Sequence, residues 1–293
     1  MSLQINDRLF WPQGRTKAVT FSYDDGVSQD VRLIEFFNRY GVKGTFNLNS
    51  GLSGSPGTIS AGGKTVRHDK LPDRDMIRIY AGHEPASHGL FHSCLYGMDV
   101  ARCTREILDC RAQLETIFRV PLTGFAYAFG ACSDTIKSAL VSCGIAYART
   151  IRSTRSFDIP QDFLLWDPTC HHDDVQLFSL ADRFLSDEPF FSFFSPAKLF
   201  SIWGHSYEFD QNDNWDRMDS FLQKISGHSD VWYATNGEIC AYVSAFRSLI
   251  FSVDSRFVYN PTAVPVWLGG MFGRETVRAD PGQCTKLIPP VEI

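Results

Sequence analysis

The sequence has no long apolar run, no basic cluster and no paired cysteine motif, and each absence removes a class of protein. No stretch reaches the ~20 apolar residues of a membrane-spanning helix, so no membrane partner is expected. Lys and Arg total 28 against 33 Asp and Glu, a formal net charge of −5. With no basic run, a nucleic-acid or anionic-membrane surface is not expected either. The cysteines, at positions 94, 103, 110, 132, 143, 170, 240 and 284, contain no C-x-x-C pair. A structural zinc on Cys94, Cys103 and Cys110 fits no usual ligand spacing, and the thiols read instead as buried and reduced. The N-terminal MSLQINDRLFWPQG lacks the apolar core of a signal peptide. A cytoplasmic location is the expectation, with a removed leader left open. Internal repeats and low-complexity segments are absent as well.

What is present is a chain of 293 residues, 44% hydrophobic and 14% aromatic. That length can bury a substantial core in one large domain. The aromatic content fits a thick core or a ring-lined sugar cleft equally. Strand-like and helix-like segments alternate along the chain. Lys17 to Asp24 reads as a strand. Val31, Ile34, Phe36 and Phe37 then follow near helical spacing, with Ser28 or Asp30 as N-cap and Gly41 as stop. A long helix opens near Asp99, another ends at Gly144, and Asn236 reads as a cap. Residues 53–70, rich in Gly, Ser and Lys, read as an exposed loop. The alternation implies a mostly parallel sheet, open or closed into a barrel, with chemistry at the C-terminal strand ends. Residues 1–255 are expected to form this catalytic unit, with 256–293 as a small β-rich extension packed on it.

Three short stretches carry chemical types that work together. TFSYDDG (20–26) ends a strand on adjacent carboxylates, Asp24 and Asp25. Adjacent carboxylates repel unless a cation sits nearby. The stretch is either a turn or a metal ligand beside a base. SHGLFH supplies His88 and His92 at i,i+4, which on a helical turn points both imidazoles the same way. Two imidazoles and one carboxylate make a set that leaves coordination positions open for water and substrate. WGH puts His205 where another strand ends.

These stretches, in order, resemble the motifs of the polysaccharide deacetylase family (NodB homology, carbohydrate esterase family 4) from about Lys17 to about Gly237. TFSYDDG is similar to T-F-D-D-G with two residues inserted. GHEPASHGLFH is similar to G-H-E-x-x-x-H-[ST]-x-x-H with Gly89 in the Ser/Thr place. FAYAFG stands at the R-x-P-[YF]-G motif and WGH at L-x-H. The resemblance implies an α/β fold, a distorted (β/α)7 barrel. It makes Asp25, His88 and His92 ligands of one divalent metal ion, zinc by default, with cobalt, iron or nickel fitting the same ligands. It makes Asp24 the general base and His205 the general acid, and the Phe129 N–H a donor to the oxyanion. Trp203, in place of a leucine, either lines the acyl pocket or packs the core.

The pattern also breaks. Ala126 and Ala128 replace the arginine and proline of the third motif, and alanine cannot orient a base; Arg149 and Arg152 are candidates for the missing cation. LLWDPTCHHDD (164–174) reverses the Asp-Trp of the fourth motif, which makes Asp167 the nearest match in the substrate region. His171, His172, Asp173 and Asp174 read as a solvated loop or as part of the cleft. Glu208 and Asp210 read as surface acids, or as partners of His205. The implied function is metal-dependent removal of acetyl groups, most simply N-acetyl, from a saccharide. A small non-sugar amide substrate, or a carbohydrate-binding protein with impaired catalysis, are the alternatives. The sequence sets no expectation for the oligomeric state.

Overall fold

The Lys17–Asp24 strand is buried at every residue and forms the axis of the molecule. The computed structural model describes residues 8–61, 63–186, 197–269 and 276–287. Across the main sheet the order is Tyr147–Arg149, Gly124–Ala126, Glu84–Ser87, Gly44–Leu48, Lys17–Asp24, Lys198–His205 and Cys170–His171. All of these pairings are parallel. The Val231–Tyr233 strand pairs with Lys17 to Val19, below the stretch taken by Gly44–Leu48. Trp166 bridges to Arg149 on one edge strand, while Cys170 and His171 form the opposite edge. The connecting segment thereby ties the two edges, and the sheet curls into the expected distorted seven-stranded barrel.

The helices between strands bury apolar stripes against this sheet. The Asp30–Tyr40 helix buries Leu33, Ile34, Phe36 and Phe37 and stops at Gly41, whose φ of 66° only glycine adopts cheaply. Phe21 of the central strand meets Phe37 at 4.8 Å and Phe221 of the Trp215–Ile225 helix at 6.4 Å, so one strand face joins two helices. The Val100–Phe118 helix opens at Asp99, whose carboxylate accepts the Arg102 N–H. Among the described residues no helix is long and apolar enough to cross a membrane.

Three local readings change. Residues 53–70 are not one open loop: Thr58–Ala61 and Lys64–Arg67 pair as a hairpin. Thr235, not Asn236, caps the Asn236–Arg247 helix, because Glu238 completes a capping box with it. Asp30 does not cap its helix; its carboxylate is drawn inward to accept from Tyr80 Oη and Ser206 Oγ. Towards the C-terminus, Val266–Gly269 pairs antiparallel with both Thr276–Ala279 and Leu9–Phe10, so the first described strand is stitched to residues far along the chain.

Candidate active site

Strand register brings the motif residues together. Asp24 lies opposite His205 on one side and Asn47 on the other. Ser87 pairs with Leu48, so His88 leaves its strand one residue further up. Ala126 lies opposite Arg149. Side chains more than a hundred residues apart thus emerge at one end of the sheet, around a cavity of about 590 Å³. Its lining includes Asp24, Asp25, His88, His92, Phe129, Trp203 and His205.

Asp25, His88 and His92 place one donor atom each within 4.8 Å of one another. Asp25 Oδ1 is 3.6 Å from His92 Nε2 and 3.9 Å from His88 Nε2. Two bonds of ~2.1 Å meeting at ~110–130° span roughly 3.4–3.8 Å; the His92 distance falls in that range and the His88 distance lies about 0.1 Å beyond it, so a small adjustment seats one divalent ion. The atom behind the ring agrees. His88 Nδ1 lies 2.9 Å from the Ala126 carbonyl oxygen. A carbonyl only accepts, so Nδ1 carries the proton and the Nε2 lone pair faces Asp25. Burial pushes both imidazoles down, His92 to about 4, which keeps them neutral as ligands must be. Burial works to raise the Asp25 carboxyl, but the His68 hydrogen bond and the Lys70 cation hold it well below the usual range. The i,i+4 spacing does not work through a helical turn, however. Residues 88–92 are a loop, with Gly89 at φ 81° and His92 at φ 56°. A left-handed backbone, not helical periodicity, points the second imidazole back. That also accounts for glycine where the motif has Ser or Thr.

Asp24 is held from two sides. Arg149 Nη2 donates to both of its oxygens, and Asn47 Nδ2 donates to Oδ1 at 2.8 Å. Arg149 is itself fully buried, donating to Ser22 Oγ and the Thr150 carbonyl and lying 4.6 Å from the Trp203 ring. The guanidinium missing at Ala126 is therefore supplied by its register partner on the next strand. Arg152, the other candidate, pairs with Asp167 instead. Burial works to raise the Asp24 carboxyl, but Arg149, His88 and His205 lower it, so it is an anion at neutral pH.

His205 Nε2 is 4.0 Å from Asp24 Oδ2, and its Nδ1 is 3.2 Å from Glu208 Oε1. That approach is oblique, a close ion pair rather than a straight hydrogen bond. Burial disfavours the imidazolium, yet Glu208, Asp24 and Asp25 raise its pKa to about 9. Glu208, half-buried, is the acid beside His205. Asp210 turns away to accept from Gln29 and the Trp215 indole. Asp167 is a correction: its carboxylate is taken by Arg152 and Thr150, and it lines a different cavity with Ser156 and Asp162. The reversed Trp-Asp order puts Trp166, not the acid, into the core.

Phe129 is 64% exposed, its ring edge-on to His92 at 4.6 Å, with φ 58°. Trp203 is buried beneath Arg149 and His171, and its edge lines the cavity. Two residues at the site were unreadable in the sequence. His68 Nε2 lies 3.1 Å from Asp25 Oδ2, and Lys70 Nζ donates to the Asp25 carbonyl at 2.8 Å. Both follow the hairpin and carry no motif. Asn47 had a weak signal, a polar side chain between Phe46 and Leu48 near the end of its strand.

The family model for polysaccharide deacetylase matches residues 12–148. No curated protein matches the chain. Among solved structures, a Mycobacterium smegmatis protein named for the polysaccharide deacetylases superposes with a TM-score of 0.58 at 17% identity, over 82% of this chain and 94% of that one. The Streptococcus pyogenes deacetylase PplD in complex with acetate gives a TM-score of 0.40 at 19% identity, over 45% of this chain and 55% of its own, so only about half of that protein is spanned. A Clostridium thermocellum family 4 acetyl xylan esterase in complex with a cobalt ion gives 0.49 at 15% identity, over 76% and 90%. The first of these shares the fold. Residues 12–148, which carry Asp24, Asp25, His88 and His92, are the part of the chain that matches the polysaccharide deacetylase family model.

Proposed function

We propose that the protein is a divalent-cation-dependent hydrolase that removes acetyl groups, N-acetyl foremost, from a saccharide. One observation carries the reading. Register pairing sets an anionic Asp24 beside a cationic His205 in the lining of a cavity whose wall also holds a two-histidine, one-carboxylate set. Asp25, His88 and His92 would hold the ion, zinc by default. When bound, such an ion polarises the acetyl carbonyl and lowers the pKa of a nearby water. Asp24 takes the proton of the attacking water, kept in place by Arg149 and Asn47. His205, protonated below about 9, gives its Nε2 proton to the departing nitrogen. The Phe129 N–H is the donor proposed for the developing oxyanion.

Ala126 was the ground for a binding protein with impaired catalysis. With Arg149 carrying the guanidinium, that ground is gone. The test is acetate release from N-acetylated oligosaccharides by protein stripped with chelator and reloaded with zinc or cobalt, then repeated with Asp24→Asn and His205→Ala. Acetate from the loaded wild type and almost none from either variant supports the reading. Oligosaccharide binding with no release under any metal overturns it, and release only from small amides moves the substrate class.

A further inference from the structure

Behind His205 lies a second knot of titratable side chains that this chemistry does not use. His171, His172 and Glu208 bring their donor atoms within 4.8 Å of one another, the same donor types as the first set. Glu208 Oε2 is 3.1 Å from His171 Nε2 and 3.4 Å from His172 Nε2, and it accepts the His205 backbone N–H at 3.0 Å. His172 is fully buried, its ring between Tyr23 at 5.6 Å and Phe209 at 4.3 Å. A Cβ on Gly204 would stand 2.0 Å from His172 Nδ1, so the glycine of the WGH motif is what admits this ring.

The rear nitrogen of His171 decides what the knot is. The Asp173 N–H donates to His171 Nδ1 at 3.2 Å. An amide N–H cannot accept, so Nδ1 offers its lone pair and the ring proton sits on Nε2. A protonated Nε2 cannot ligate a metal; it can only face Glu208 as a donor. His88 has the opposite polarity, with a carbonyl behind Nδ1.

We propose that His171 is a positioning residue for His205, acting through Glu208: its Nε2–H fixes the carboxylate that in turn fixes which way the His205 ring faces. The inference rests on the reading of His205 as the acid. Burial works to raise the Glu208 carboxyl, and the imidazoles of His171 and His205 outweigh it, so Glu208 stays an anion. Its Oε1 faces His205 Nδ1, which leaves His205 Nε2 towards Asp24 and the cavity. Asp24 and Asp25 face His205 from the central strand end, and Tyr207 packs its ring at 5.1 Å.

The test reads tautomers without needing turnover. In the metal-free full chain labelled with ¹⁵N-imidazole, NMR should show the neutral His171 ring as the Nε2–H tautomer, and His205 doubly protonated until the pH passes about 9. In His171→Ala the His205 titration should move to lower pH; in His171→Gln, which keeps an N–H for Glu208, most of the shift should be reversed. With substrate, His171→Ala should lower kcat about tenfold at little change in KM. A His171 protonated at Nδ1, a second zinc ion per chain that His171→Ala removes, or an unmoved His205 titration would each overturn the proposal. If the wild type releases no acetate while the titration shift is seen, the deacetylase reading fails and the positioning role stands.

Discussion

Two sets of two histidines and one carboxylate adjoin the Asp24–His205 pair, one through His88, 3.8 Å from Asp24, the other through Glu208, 3.2 Å from His205. Their donor atoms have the same chemistry and similar spacings. They differ in the atom behind one ring: a carbonyl behind His88 Nδ1, a backbone N–H behind His171 Nδ1. The first arrangement offers a lone pair to a cation, the second a proton to an anion. They differ again in backbone. Asp25, Gly89 and His92 all take positive φ, whereas His171, His172 and Glu208 sit on or beside a strand and a helix in ordinary conformations. A donor set alone therefore does not define a metal centre; the opposite polarity of the groups behind His88 and His171 separates the two.

The largest effect expected from this contrast follows ion loss. Asp25→Asn should leave the chain without bound metal and lower acetate release by about 10⁴-fold, whereas His171→Ala should keep the full metal content. Metal analysis of both purified variants checks it; equal losses in the two would erase the distinction. Next comes the buried cation that holds Asp24, the proposed base. Arg149→Ala leaves the Asp24 carboxylate buried without its partner, which should cost about 3 kcal/mol of unfolding free energy, read by urea denaturation. Moving the guanidinium back across the register, as Arg149→Ala with Ala126→Arg, should recover part of the lost activity.

The third effect concerns His205 alone, the proposed acid. Its pKa is raised to about 9, so His205 keeps its proton below that pH and activity should fall as pH climbs through it. Glu208 does most to offset the burial that opposes this charge, so Glu208→Gln should shift the alkaline limb of kcat/KM to lower pH and cut the value at pH 8 by about tenfold. Profiles of both proteins under the same metal loading decide it. A limb that stays put would show that Asp24 and Asp25 suffice to hold the proton.

Much of this site was legible because its chemistry lies at strand ends, where a polar residue closing an apolar run stands out. Asp24, Asp25 and His205 are of that kind, and their order along the chain was enough to pair them. His88 and His92 were legible as a pair for the wrong reason: their spacing suggests a helical turn, and only the positive φ of Gly89 and His92 makes it work in a loop. Arg149 could be offered but not placed, since nothing local says which strand neighbours Gly124–Ala126 or in what register. His68 and Lys70 reach Asp25 from beyond a hairpin, a tertiary contact with no periodicity to betray it. Glu208 was readable as a surface acid or as a partner of His205, and His171 as part of a solvated loop or of the cleft; that the two meet at 3.1 Å is a property of the packed barrel.

The smallest effect tests the backbone half of the contrast. At Gly89 an added Cβ would meet nothing closer than Glu106 Oε2 at 3.6 Å, so Gly89→Ala is sterically open and its cost is conformational. Holding an alanine at φ 81° should cost about 1 kcal/mol. The chain can pay that in stability, or relax the turn and carry His92 away from Asp25. Thermal unfolding combined with a zinc titration separates the two. Because nothing fills the space, we expect the stability loss with zinc affinity lowered only a few-fold, about 1 kcal/mol or less in binding. The equivalent change at Gly204, where a Cβ would meet His172 at 2.0 Å, has no such room; it should displace the buried ring and disturb His205 while leaving zinc affinity at Asp25, His88 and His92 unchanged.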